Sequence, residues 1–298
     1  MSASTTSASA VATAADRAAE SVARRARRRR IDWGRVAAYA VLVVLALVYL
    51  GPLLMLVNTA LKTLPEFAKN PVGPTTTFTI KNFGDAWQKA DIARYLGNTI
   101  FYTVVATVLY LASALPLSVA IARRYVRGWN WLYLLFVIAL FLPVALIPQF
   151  QLLLNLKLYN TQAGYILLFL TNPIGVLILV GYIRTIPREL DEAVALDGGG
   201  YIRYLVQIIL PLAKPALATV AILHAIGVWN ELVLASIYLT TQSYYPVTRG
   251  LIVFTGIYGN DWPLLSAAVL MLAAPMVVLY LFLQRYIIGG FTAGSLRG

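Results

Sequence analysis

His224 and Glu231 lie seven residues apart in an otherwise apolar run, with Trp229 and Asn230 between them. Seven residues are close to two helical turns, so the imidazole and the carboxylate share one helix face. Two chemistries suit that face. One is a proton relay from His224 to Glu231. The other is contact with a polar solute, the Trp229 indole stacking on a sugar ring beside the Asn230 amide and the Glu231 carboxylate. Simpler roles compete. Ionisable groups inside a membrane also pair with neighbouring helices or meet water, which suits His224 better than a relay does. Trp also belongs at membrane interfaces. Gln149 and Gln151 follow Pro148, as amides at a broken helix would, although both lie near the outer end of their apolar run. Asn172-Pro173 reads as a kink. Tyr244, Tyr245 and Tyr258, in a long loop, either contact an outside partner or pack against the bilayer surface.

Catalysis inside the chain is not expected. One His and no Cys leave no multi-histidine or thiolate metal site, so no metal is assigned. No Gly-x-x-x-x-Gly-Lys-Ser/Thr is present, so the chain has no phosphate loop of its own. No catalytic nucleophile is placed beside a base.

The second polar feature is the stretch 185–215. It carries Arg188, Glu189, Asp191, Glu192, Asp197, Arg203 and Lys214 between apolar runs, so it must lie outside the bilayer. Pro187 suits a first helical position, with acidic residues early in the helix. Gly198-Gly199-Gly200 stops that helix and turns the chain. Ile202, Leu205, Val206 and Ile209 then recur at helical spacing. The reading is two short helices around a glycine turn.

These residues must be positioned by membrane spans. The chain is 60% hydrophobic and 12% charged, with a mean hydropathy of +0.74, whereas soluble domains average about 25% charged residues. Six apolar runs predict six transmembrane helices in an all-α membrane protein: about Val36–Val57, Tyr95–Ala122, Trp131–Leu153 (broken by Pro143 and Pro148), Ala163–Ile183, Ala216–Leu239 and Leu264–Ile288. Thr75–Ile80, between the first two, alternates weakly and suggests a short strand. Six spans put both termini on one side. That side holds 17 of the 24 Lys and Arg, which places both termini and the 185–215 loop in the cytoplasm. The net charge of +12 thus reflects topology and lipid contact, not nucleic-acid binding. The expected organisation is a disordered basic N-terminus over 1–34, a first span and extracytoplasmic loop over 35–93, a five-helix core over 94–290 and a cytoplasmic tail over 291–298.

The 185–215 stretch resembles the EAA loop of permease subunits of ABC importers. The matching residues are Glu192-Ala193-Val194, then Asp197-Gly198, then nine residues to Ile208, then Leu210-Pro211. Val194 departs from the Ala of that pattern, and Gly199 stands where a small residue such as Ala is usual. The resemblance covers roughly residues 90 to 298. Ile186-Pro187-Arg188-Glu189-Leu190, Pro211 to Leu217, Trp229-Asn230-Glu231 and the tail Gly289 to Gly298 are similar to the carbohydrate branch, and the tail to the shorter permease of maltose-type systems. The resemblance implies a type I ABC importer permease in the bacterial cytoplasmic membrane. It further implies a second homologous permease, two ATPase subunits that bind ATP and Mg, and an extracytoplasmic solute-binding protein. On this resemblance Glu192, Ala193, Asp197 and Gly198 contact the ATPase: Glu192 pairs with a basic residue, Ala193 allows close approach and Gly198 turns the chain. An amino-acid or peptide permease, or a proton-coupled carrier using Glu231 and His224, are the alternatives.

Overall fold

The computed structural model describes residues 33–256 and 259–295. The basic N-terminal run, Tyr258 and the last three residues of the tail lie outside them. The chain divides into two units, residues 1–55 and 56–298. The described part of the first is helix α1, Trp33–Ala60, which runs on into the second. Its side chains are exposed along residues 34–50, the all-round apolar pattern of a helix made for lipid. Its 28 residues reach about 40 Å at 1.5 Å each, enough for a hydrocarbon core.

The loop that follows holds α2, Leu64–Lys69, and α3, Lys81–Lys89. The strand expected over Thr75–Ile80 does not form. No second strand lies there to take its amides, and a carboxylate takes them instead. Glu66 accepts the Thr76 amide at 2.5 Å and hydroxyl at 3.0 Å, the Thr77 amide at 3.3 Å, and the Thr77 hydroxyl. These bonds stabilise the ionised form and pull the Glu66 carboxyl down to about 2. Beside it, the wholly buried Lys62 donates to the carbonyls of Asn70 at 2.8 Å, Pro71 at 3.2 Å and Gly73 at 2.5 Å.

The second unit is organised on α4, Ile92–Arg123. It packs against α8, Pro173–Ile183, and α12, Lys214–Asn230. Tyr110, Val119 and Ile121 of α4, Val176, Leu179 and Ile183 of α8, and Ala216 and Val220 of α12 share one buried cluster. The third, fourth and fifth predicted spans are interrupted. The third is α5, Trp129–Ala139, and α6, Leu146–Asn155. Pro143 lies in the gap between them. Pro148 does not break the chain as expected, because it falls in the first turn of α6, where a missing N–H has no helical partner to lose. The fourth is α7, Gln162–Leu168, one 3-10 turn at Phe169–Thr171, and then α8, with a 47° bend. Asn172 caps α8 by accepting the Ile174 amide at 3.0 Å, with Pro173 in the first turn.

After α8 come α9, Glu189–Leu196, α10, Tyr201–Tyr204, a π turn at Leu205–Ile209, and α11, Leu210–Leu212. Pro211 has no N–H to give the turn before it, and there the helix widens. An 80° bend at Ala213 leads into α12. The fifth span breaks at Glu231 before α13, Val233–Tyr238. Past α14, Val247–Gly250, and a two-residue hairpin, α15 runs Trp262–Ser295. Among the described residues, Gly34–Ala60 and Ile92–Arg123 are long and apolar enough to cross a membrane unaided, and counting each bent pair as one span raises that number to four.

Candidate functional site

The 185–215 stretch folds as two short helices around a glycine turn. Pro187 lies just outside α9, whose first turn carries Glu189, Asp191 and Glu192. Those carboxylates sit where the helix dipole favours negative charge. At the other end, the Gly198 amide bonds to Ala195 O at 3.2 Å and the Gly199 amide to Val194 O at 2.9 Å. This is the paired closure that satisfies orphan carbonyls, and it needs a left-handed residue, supplied by Gly198 at φ +69°. Glu192, Ala193, Asp197 and Gly198 are all exposed. Glu189, Glu192, Ala193 and Leu196 line one stripe of α9, and Leu196 is 89% exposed. Leu196 thus stands bare beside the Glu192 carboxylate. Sequence reading missed Leu196, although its place four residues after Glu192 was the available signal.

The other face of α9 was also missed. Asp191 turns inward, 2.8 Å from the Nε of Arg123 at the end of α4. Tyr204 of α10 donates its phenol to Asp191 at 2.6 Å. Burial first, and then this bond to a carboxylate, raise the Tyr204 phenol well above the usual range, so it stays a donor.

Three helix breaks meet at one cavity of about 470 Å³. Pro143 and Val144 come from the gap between α5 and α6, Thr171 to Pro173 from the bend before α8, and Glu231 from the end of α12. Irregular backbone at membrane depth is tolerated where it lines a cavity. Here it adds polar groups to walls built mainly from Leu, Val, Ala and Phe. Glu231 and Gln149 both line the cavity. The Glu231 Oε1 accepts the Leu234 amide at 2.9 Å, capping α13. Gln149 lies 3.5 Å from the Tyr238 phenol. Gln151, two residues further along α6, is exposed and not part of the lining.

Trp229 and Asn230 do not join Glu231. They sit on the opposite face of α12, with Val269 and Ala273 of α15, around a second, apolar cavity of about 400 Å³. A helix turns 100° per residue, so the three side chains cannot converge unless the chain breaks before them. It breaks after Asn230. The Asn230 amide folds back on Ile226 O at 2.9 Å.

His224 lines the first cavity but is engaged. Its ring stacks on Tyr110 at 4.3 Å. Its Nε2 lies 2.9 Å from Phe169 O, and its Nδ1 3.1 Å from Thr107 Oγ1. A carbonyl only accepts, so Nε2 carries the proton and Nδ1 receives the threonine hydroxyl. The imidazole thus serves a carbonyl that the 3-10 turn leaves open. Tyr244 and Tyr245 are half-buried. The Tyr244 carbonyl accepts from Tyr102 at 2.8 Å, and Tyr245 packs on Tyr95 and lies under Arg249. Both hold the 240–250 loop to α4. Tyr258 lies outside the described residues.

Known proteins agree with this architecture. A diacetylchitobiose uptake permease of Streptomyces coelicolor, NgcG, is 29% identical over 87% of this chain and 88% of its own. An arabinooligosaccharide transport permease of Halalkalibacterium halodurans, AraQ, is 31% identical over 85% and 93%. A melibiose/raffinose/stachyose import permease of Bacillus subtilis, MelC, is 29% identical over 86% and 94%. A chain of a bacterial ABC transporter that imports alginate shares the fold, with a TM-score of 0.76 and 23% identity over 85% of this chain and 96% of that one. The family model for the inner membrane component of binding-protein-dependent transport systems matches residues 92–288. With α9 closed by its glycine turn and three helix breaks gathered at one cavity, this chain belongs to the family of binding-protein-dependent transport system inner membrane components.

Proposed function

We propose that this chain is a membrane subunit of an ATP-driven importer that moves a sugar or oligosaccharide delivered by an extracytoplasmic binding protein. Its six spans leave both termini in the cytoplasm. A second, homologous permease completes the pathway, and two ATPase subunits hold ATP and Mg. The observation that carries this reading is the exposed stripe of Glu189, Glu192, Ala193 and Leu196 on a helix closed by Gly198. The stripe is a rigid element that a cytoplasmic ATPase can grip. Through α10 and α11 it continues into α12, which carries Glu231 to the cavity. Rotation of α9 therefore reaches the cavity wall through the glycine turn and the 80° bend at Ala213.

The carbohydrate class rests on the printed substrates of the relatives: diacetylchitobiose, arabinooligosaccharides and melibiose-type sugars. Apolar walls with sparse polar groups suit sugar faces and hydroxyls. Glu231 and Gln149 are the pathway residues. Trp229 and Asn230 contribute packing against α15, and Gln151 contributes surface. A proton relay is disfavoured because both His224 nitrogens are engaged.

The test is uptake of a labelled sugar panel by cells making the complete complex, with ATP depletion and a protonophore as separate arms. Uptake should follow ATP. Glu192→Lys and Gly198→Pro should each cut uptake about tenfold or more while the chain still reaches the membrane. Uptake that follows the proton gradient, or wild-type uptake in both variants, would refute the reading.

A further inference from the structure

Asp191 takes no part in the exposed stripe of α9. Its Oδ2 lies 2.8 Å from Arg123 Nε, and its Oδ1 accepts the Tyr204 phenol at 2.6 Å. Arg123 Nε also lies 3.2 Å from Tyr204 Oη, and Nη1 donates to Ile186 O at 3.1 Å. Four segments therefore meet on one guanidinium: the end of α4, the chain entering α9, α9 itself and α10. The side chains of Arg123 and Asp191 are 2% and 15% exposed. An exposed ion pair constrains little, because both partners wander in water. A desolvated pair tied by further hydrogen bonds has one geometry. Arg123 Nη2 is buried with no partner among the described residues, so no second carboxylate stands ready to replace Asp191.

The placement has a mechanical consequence. The chain path from α9 to α12 runs through the glycine turn and the 80° bend at Ala213. The Asp191–Arg123 pair bypasses it and fastens α9 to α4. Helix α4 in turn carries Thr107 and Tyr110, which hold His224 and the Asn172 carbonyl at the helix break.

We propose that Asp191 is a positioning residue for energy coupling: through Arg123 and Tyr204 it welds the docking helix to α4, so that movement of α9 reaches the cavity through α4 as well as through α12. This rests on the coupling reading of α9 given above.

The test uses the complete complex with its ATPase subunits in lipid nanodiscs. Hydrogen exchange is followed at residues 140–145 and 169–172, with and without ATP-Mg and vanadate. The wild type should show a nucleotide-driven change at both cavity segments. Asp191→Asn should keep the ATPase subunits and ATP hydrolysis but shrink that change about tenfold, and Asp191→Glu should recover most of it. Tyr204→Phe keeps the ion pair and should shrink the change about threefold. It decides the matter if Asp191→Asn fails to assemble. A wild-type nucleotide response in Asp191→Asn, or in Tyr204→Phe where that variant decides, overturns the proposal. Absence of ATPase subunits from the wild-type complex overturns the coupling reading itself, and this proposal with it.

Discussion

Substituting Gly199 by Ala should damage the 185–215 loop, and substituting Val194 as well should repair it. A Cβ built on Gly199 falls 2.6 Å from Val194 Cγ1 and 3.1 Å from Val194 O. Carbon atoms prefer about 3.5–4.0 Å, so roughly an ångström must be found. Val194 cannot swing away, because a β-branched side chain in a helix holds one rotamer. Nor can the backbone move freely, since the Gly199 amide closes the helix on Val194 O at 2.9 Å. Overpacking of this kind costs about 1–3 kcal/mol. Gly199 does not have a positive φ, so the backbone itself accepts Ala and the penalty is steric. Val194→Ala alone removes two half-buried methyl groups and costs about 1 kcal/mol, less a few tenths regained in helix propensity. In Val194→Ala/Gly199→Ala the 2.6 Å clash with Cγ1 is gone, only the milder 3.1 Å approach to the residue 194 carbonyl remains, and the lost contact returns from the other side. The coupling energy should be about 1–2 kcal/mol. The assay is hydrogen exchange at the residue 199 amide, whose protection reports opening of the closure. Gly199→Ala should lower protection about 5- to 100-fold, and the double variant should lie within about threefold of wild type. Additive losses in the double variant, or full protection in Gly199→Ala, would refute the reasoning. Val194 and Gly199, the two departures from the EAA pattern, face each other across this contact.

Glu66 should make the loop between α1 and α4 acid-sensitive at an unusually low pH. Its carboxyl is lowered from 4.5 to about 2 in the fold, so its contribution is fully present above pH 4.5 and is lost as pH falls through about 2. Protection of the Thr76 and Thr77 amides should follow that profile, and Glu66→Gln should show the low-pH pattern at neutral pH. His224→Ala should leave Phe169 O without its donor and cost about 1–3 kcal/mol, read as a lower unfolding temperature of the complex. His224→Gln, which can still donate, should restore part of the loss, and uptake should remain ATP-driven in both. Uptake abolished in His224→Gln at unchanged stability would instead mark the imidazole as part of the transport chemistry.

The features legible in the sequence are those set by neighbours along the chain. Pro143 and Asn172-Pro173 break helices because proline lacks an N–H and crowds the residue before it. The 185–215 loop was readable because its signals are local: acidic residues in a first turn, then glycines at the stop. The expected strand at Thr75–Ile80 failed because alternation states a preference for pairing without supplying the partner, and Glu66 supplied another. Likewise, Trp229-Asn230-Glu231 reads as one set until a helix break after Asn230 sends the members to two cavities.

Tertiary structure alone decided the rest. Arg123 and Asp191 are 68 positions apart in the sequence, and Thr107 and His224 are 117 apart. No spacing rule links them, since each was one of several polar groups in its own segment. The sequence could say that a polar loop lies on the charged side of a membrane and is stopped by glycine. Which carboxylate faces outward and which turns in to meet a guanidinium depends on how α9 settles on α4. That is set by the burial of Val194 and Tyr204 against the core, a contact that exists only once the chain has folded.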